Sequence, residues 1–180
     1  MISLKSKLTQ RLLSYLFLHK EEAFYINELA RQLHVDDGNL TRKLYELAKT
    51  GLLKVEPKGN LTYFRLNSQF PLFGEYERII QQTVGLDAIL RETLAAVKGV
   101  HEAYLYGSYA VNQLESTSDI DLLAVGDHNT LALQKRLTPL QKQIGREINC
   151  TSMTDHEFKR RRSSDSFLRS VFSKPTIRVV

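Results

Sequence analysis

A chain of 180 residues with 42% hydrophobic and 25% charged residues has enough apolar content to bury a core, which excludes wholesale disorder, and its length suits one medium domain or two small ones. Its single cysteine, Cys150, excludes an internal disulfide and an all-cysteine metal site, and fits a reducing cytosol. The net charge of +5 favours a polyanionic partner, while the lack of a bilayer-length apolar run or a signal-peptide pattern leads to the expectation of a cytoplasmic protein with no membrane partner.

Apolar residues at 8, 12, 13, 16 and 17 follow helical spacing and predict a first amphipathic helix over Leu8 to Phe17. "FYINELARQLHV" predicts a second, with Ile26, Leu29, Ala30 and Leu33 on one face. "DDGN" then breaks the pattern, and either Asp36 or Asp37 can cap the next helix. "NLTRKLYELAKTG" predicts that third helix, with Leu40, Leu44 and Leu47 as its buried stripe and Gly51 as its stop. "LLKVEPKGNLTYFRLN" reads as two strands joined by a "PKGN" turn. Three helices and a hairpin, with a tight turn between the second and third helices, are the order of a winged helix-turn-helix.

Pro71 and Gly74 interrupt the next stretch, which reads as a connector with a short helix starting near Glu75. "LDAILRETLAAVKG" is amphipathic, with Leu86, Ile89, Leu90, Leu94 and Val97 inward. Beyond it the period changes. "VHEAYLYG" predicts a strand, "SYAVNQLEST" a short helix and turn, and "SDIDLLAVG" a second strand. "TLALQKRLTPLQKQIG" is a helix that Pro139 is expected to kink or split. "REINCTSMT" is a third strand, the stretch from Asp155 helical, and "TIRVV" a candidate last strand. The expected class is α+β: a winged helix-turn-helix over residues 1–70, a connector over 71–85 and a small mixed-sheet α/β domain over 86–180.

Chemistry concentrates in "YGSYAVNQLESTSDIDLLAV". Residues two apart in a strand share a face, so Asp119 and Asp121 project together while Ile120 and Leu122 enter the core. Two close carboxylates repel unless a cation sits between them. A hard ion such as Mg²⁺ takes one or two carboxylates and fills its remaining positions with water and substrate phosphates. Gly107-Ser108 supplies the complementary half: a strand ends there and a helix begins, so free backbone N–H groups, the helix dipole and the Ser108 hydroxyl favour an anion. A triphosphate beside a metal is the arrangement that nucleotidyl transfer needs.

These residues resemble the signature of the polymerase-β-like nucleotidyltransferase superfamily, in particular its small minimal nucleotidyltransferase domains, over roughly residues 86 to 180. The resemblance implies that Gly107 and Ser108 hold nucleotide phosphates and that Asp119 and Asp121 are catalytic, binding Mg²⁺ or Mn²⁺. It implies transfer of a nucleoside monophosphate from a nucleoside triphosphate, ATP being the expected one, to an acceptor hydroxyl. It further implies a third carboxylate from the next strand, which helps activate that hydroxyl. Glu147 is the favoured candidate for this catalytic and metal-binding position and would complete the site. Asn149 is the alternative, leaving a second metal poorly held and a nucleotide bound without much catalysis. Minimal nucleotidyltransferases often act as antitoxins, which makes a protein acceptor or toxin partner an expectation here.

The N-terminal order, with "INELARQL" and "GNLTRKLYELAKTGLL", resembles small bacterial regulators of the ArsR and MarR type, which implies a homodimer. On the third helix Asn39, Thr41, Arg42, Lys43 and Tyr45 lie off the leucine stripe and are the candidate DNA contacts, with Lys58 and Asn60 at the wing tip. A protein-interaction role for the same module stays open. "KRRR" at 159–162 is either a grip on nucleic acid or triphosphate or a solvated helix face. The five histidines show no zinc spacing, and Cys150 is expected to be a buried thiol. Two functions remain: a nucleotidyltransferase carried by a DNA-binding module, or a transcriptional regulator whose transferase fold senses nucleotide with little turnover.

Overall fold

The leucine stripe of the third predicted helix organises the N-terminal half. In the computed structural model, which describes residues 2–115 and 117–180, the chain divides into two compact units, Met1–Leu86 and Asp87–Val180. The first unit contains α1 (Lys7–Leu18), β1 (Ala23–Tyr25), α2 (Ile26–Leu33), α3 (Asp37–Lys49), β2 (Leu53–Lys58), β3 (Leu61–Leu66) and α4 (Phe73–Thr83). Leu40 and Leu44 are wholly buried and Leu47 nearly so, and they join Leu12, Leu13, Leu29 and Phe64 in one core cluster. Each such side chain contributes about 1.5–3 kcal/mol on leaving water. Of the two possible caps for α3 it is Asp36 that serves, its carboxylate accepting from Asn39 N–H at 2.9 Å.

Two expectations are corrected here. The second predicted helix begins later, at Ile26, because Ala23–Tyr25 is a strand: Phe24 pairs with Phe64 and the sheet runs β1-β3-β2. Pairing with β3 takes Phe24 and Tyr25, the first two residues of the expected helix, into the sheet. Residues 71–85, expected to be a connector with a short helix starting near Glu75, hold the 11-residue helix α4, and what differs is that this helix belongs to the first unit. Ile80 is 1% exposed in the N-terminal core, and Glu77 is ion-paired with Lys20 at 3.1 Å. Gly74 lies in the first turn of α4, where its weak helix propensity costs least.

The second unit contains α5 (Leu86–Ala95, its first residue in the first unit), β4 (Glu102–Tyr106), α6 (Gly107–Ala110), β5 (Ile120–Val125), α7 (Thr130–Ile144), β6 (Ile148–Met153), α8 (Asp155–Arg161), α9 (Ser166–Phe172) and β7 (Ile177–Arg178). Sheet order is β6-β5-β4-β7; β4 is antiparallel to β5 and β7, and β5 is parallel to β6 through the α7 crossover. Tyr104, Leu123, Val125 and Met153 pack with Phe158 and Leu168 of α8 and α9. Ile120, Leu122 and Ala124, pointing the other way, are also 0% exposed, so β5 is covered on both faces. Pro139 does not split α7, which runs unbroken over 15 residues. Both Pro139 and Lys135, whose carbonyl loses its helical donor to the proline, are exposed, so water can take the freed acceptor. No helix among the described residues is long and apolar enough to cross a membrane.

Candidate functional site

The apolar alternation of β5 leaves one conspicuous polar position, Asp121, half-buried among residues that are otherwise buried from Ile120 to Val125. Asp119, exposed just before the strand, is close enough to act on it. Burial first, and then the Asp119 charge, raise the Asp121 carboxyl above the usual carboxylate range. The pair therefore shares one open face, as alternation requires.

Across the sheet Asp121 stands opposite Tyr106, the last residue of β4, so the turn after β4 lies beside it. Gly107 takes φ +70°, a left-handed conformation, and a side chain there would collide with the Asp121 carboxylate. That is the physical need for glycine: the backbone turn and the carboxylate occupy adjoining space. Ser108 comes next, half-buried, and its carbonyl accepts from Gln113 N–H at 2.8 Å. Because α6 is only four residues long, its dipole is slight, and any anion binding here rests on the turn's amides and the Ser108 hydroxyl.

On the other side, Asp121 stands opposite Asn149 of β6. The Asn149 amide donates to Asp119 Oδ2 at 3.1 Å, so 149 is the position that meets the acidic pair. Glu147 precedes β6, is exposed, and meets β5 through its main chain, its carbonyl accepting from Ile120 N–H at 2.9 Å. Among the described residues no three histidine, cysteine, aspartate or glutamate side chains group to hold a metal ion. Two carboxylates on an open face fit one hard cation that completes its shell with water and phosphate.

Sequence reading missed two supports. Arg146, 7% exposed, donates from Nη1 to the carbonyls of Glu115 and Ser118, each at 2.8 Å, and so fixes the approach to Asp119. Tyr109 and Asp87 are both buried and joined by a 2.7 Å hydrogen bond, anchoring the helix that begins at Gly107 to α5. Neither bond has a sequence signal, since each depends on a tertiary approach. The Tyr106 hydroxyl is raised above its ordinary value, mainly by burial and also by Asp121, against the effect of its hydrogen bond to Thr151.

Other candidates settle into structural roles. Arg162 stacks on Phe158 and Phe172, 5.1 and 4.7 Å from the ring centroids, and Arg161 binds Asp165 at 2.6 Å; Lys159 and Arg160 are exposed. Cys150 is half-buried, and burial pushes its thiol up to about 11.

In the first unit Asn39, Arg42, Tyr45 and Lys58 are exposed, while Thr41 and Lys43 are half-buried. Helical geometry puts Asn39 and Lys43 on one flank of α3, Thr41 and Tyr45 on the other, and Arg42 between them. Asn39, Arg42 and Lys43 line a surface concavity of about 570 Å³ with Leu8 and Val35. Tyr45 rests edge-on against Phe64 at 5.3 Å, on the hairpin side. Arg42 donates to Asn39 Oδ1 at 3.0 Å, Lys43 to Glu46 at 2.6 Å and Thr41 to the Asp37 carbonyl at 2.7 Å.

Residues 89–165 match the family model described as polymerase beta, nucleotidyltransferase. No curated protein matches the chain. Solved structures with similarity include a toxin–antitoxin complex with AMP-PNP, at 15% identity and TM-score 0.40, covering 53% of this chain and 73% of that one. A mutant of the MntA–HpeT toxin–antitoxin aligns at 15% identity and TM-score 0.36, covering 51% and 67%. The archaeal chromatin protein TrmBL2 aligns at 17% identity and TM-score 0.30, covering 89% and 71%.

Proposed function

We propose that the acidic pair and the Gly107-Ser108 turn hold a nucleoside triphosphate with a divalent cation, and that the domain transfers a nucleoside monophosphate to an acceptor hydroxyl; the match of residues 89–165 to the polymerase beta, nucleotidyltransferase family model supports this reading. The observation that carries this reading is the packing of the Gly107 backbone against the Asp121 carboxylate, with the Gly107-Ser108 turn beside that side chain. Asp119 and Asp121 would hold the cation, Mg²⁺ or Mn²⁺, which would supply positive charge for the phosphate oxygens. The Ser108 hydroxyl and neighbouring amides orient the phosphates. The acceptor oxygen attacks the α-phosphorus, the bond to the β-phosphate bridge breaks, and the acceptor's proton passes to a base, for which we propose Glu147, the acid that enters β6. ATP is the proposed donor and a hydroxyl on a partner protein, in an antitoxin-like pairing, the proposed acceptor. The N-terminal unit is proposed to bind DNA as a winged-helix homodimer through α3 and Lys58.

A second reading is favoured by one observation, the Asn149 amide on Asp119: the domain then senses nucleotide for a transcriptional regulator with little turnover. Incubation with α-labelled ATP and Mg²⁺, comparing wild type with Asp121→Ala, tests both. Label on protein or small acceptor that the variant loses supports transfer. Nucleotide binding without label transfer supports the sensor, and no nucleotide binding sinks both.

A further inference from the structure

We infer that Asn149 makes this a one-cation site: the Asp119–Asp121 pair takes a single divalent ion together with the nucleotide, and position 149 denies a second ion its place. The inference rests on the reading of this pair as the triphosphate site.

The register leaves no ambiguity about what stands beside the pair. β5 and β6 are parallel with Asp121 opposite Asn149, and the residues flanking that pairing, Ile120 with Ile148 and Leu122 with Cys150, hold the alignment in place. The Asn149 nitrogen is a hydrogen-bond donor with no lone pair to offer a cation, and it is spent on Asp119 Oδ2. What 149 can still offer is one neutral carbonyl oxygen. Two divalent ions about 3.5–4 Å apart would have to share the two carboxylates and that one neutral oxygen as their protein ligands. A single ion is matched by the two carboxylates, and phosphate oxygens fill its shell.

The amide also explains how two carboxylates stand together without an ion. Its N–H donates to Asp119 Oδ2 and so fixes the orientation of that carboxylate beside Asp121. A carboxylate at 149 would add a third charge to that face and raise the demand for cation. Asp119 is exposed and Asn149 is exposed, so ions reach the site freely, and the limit on their number is ligand chemistry rather than access.

Manganese counted by electron paramagnetic resonance, with a non-hydrolysable ATP analogue, tests this on the full chain. Wild type is expected to bind one Mn²⁺ per chain with the analogue and to hold Mn²⁺ weakly without it. Asn149→Asp is expected to bind two with the analogue and to tighten nucleotide-free Mn²⁺ binding by about ten-fold or more, as an added charged ligand does. Asn149→Ala removes the amide without adding charge and is expected to keep a count of one, which separates the charge effect from local unfolding. Two ions in wild type, or a count of one in a folded Asn149→Asp chain, overturn the inference while leaving the nucleotide site standing. Failure of a fluorescent ATP analogue to bind wild type overturns the site itself, and this inference with it.

Discussion

Tyr109 Oη donates to Asp87 Oδ1 across 2.7 Å, with both side chains buried. Tyr109 lies two residues beyond Gly107, so this bond ties the candidate phosphate turn to the start of α5. Tyr109→Phe leaves a buried carboxyl without its donor and is expected to cost about 1–3 kcal/mol in urea unfolding.

Asp87 also gives the chain a pH signature. Burial raises its carboxyl, ahead of the lowering effects of Tyr109 and Arg91, so the folded pKa lies above 3.8. Such a group binds its proton more readily when folded. Its ionised form therefore opposes folding at neutral pH, and this opposition fades as pH falls through the raised value toward 3.8. Asp87→Asn keeps an acceptor for Tyr109 and removes the titration. The variant is expected to be at least as stable as wild type at about pH 7, with the gap closing toward about pH 4. A gap that widens on acidification contradicts the assignment.

Arg146 is the brace for the loop that delivers Asp119. Arg146→Met removes donors from the Glu115 and Ser118 carbonyls, and a cost of about 1.5–3 kcal/mol is expected from bonds made by a charged donor. Hydrogen exchange should rise first around residues 115–119, and weakened binding of the ATP analogue should accompany it. Arg146→Lys, which cannot present the same planar fork, is expected to restore little.

Ile80 measures whether α4 belongs to the N-terminal core. Ile80→Ala empties a site that is 1% exposed and is expected to destabilise the first unit by about 2–5 kcal/mol. Exchange in α1 and β3 should rise with it, whereas a connector helix would leave them protected.

For the DNA reading, Arg42→Ala is expected to weaken binding by about 1–3 kcal/mol and to relax sequence preference, while Lys58→Ala should weaken all sequences alike and lower the salt dependence. Fluorescence anisotropy on a selected site and on random DNA, at two salt concentrations, distinguishes the two. Unchanged affinity in both variants turns α3 and the hairpin toward a protein partner.

Most of the architecture was legible because apolar spacing is a local property. Leucines 40, 44 and 47 announced α3, and the run after Ser118 announced β5, with Asp121 in the strand and Asp119 just before it. What failed was decided at a distance. Phe24 and Tyr25, read as the start of a helix, instead pair with β3. Pro71 and Gly74 looked like interruptions, yet Ile80 had a core to enter. In the site itself, which residue of β6 stands opposite Asp121 depends on the register of two parallel strands, and that residue is Asn149. No turn joins those strands to fix their alignment, and the span of α7 sets it instead.

The short strand β7 carries a further consequence. Its pairing at Tyr104 and Leu105, extended by Val179 N–H to the Ala103 carbonyl at 2.9 Å, occupies the outer ladder of β4. Stripped of that cover, an aromatic-rich ribbon would offer bare amides and carbonyls to the next molecule it met, an invitation to intermolecular stacking. The last few residues therefore act as a guard on solubility, and a purification tag that tugs them loose would show itself as precipitate before any loss of chemistry.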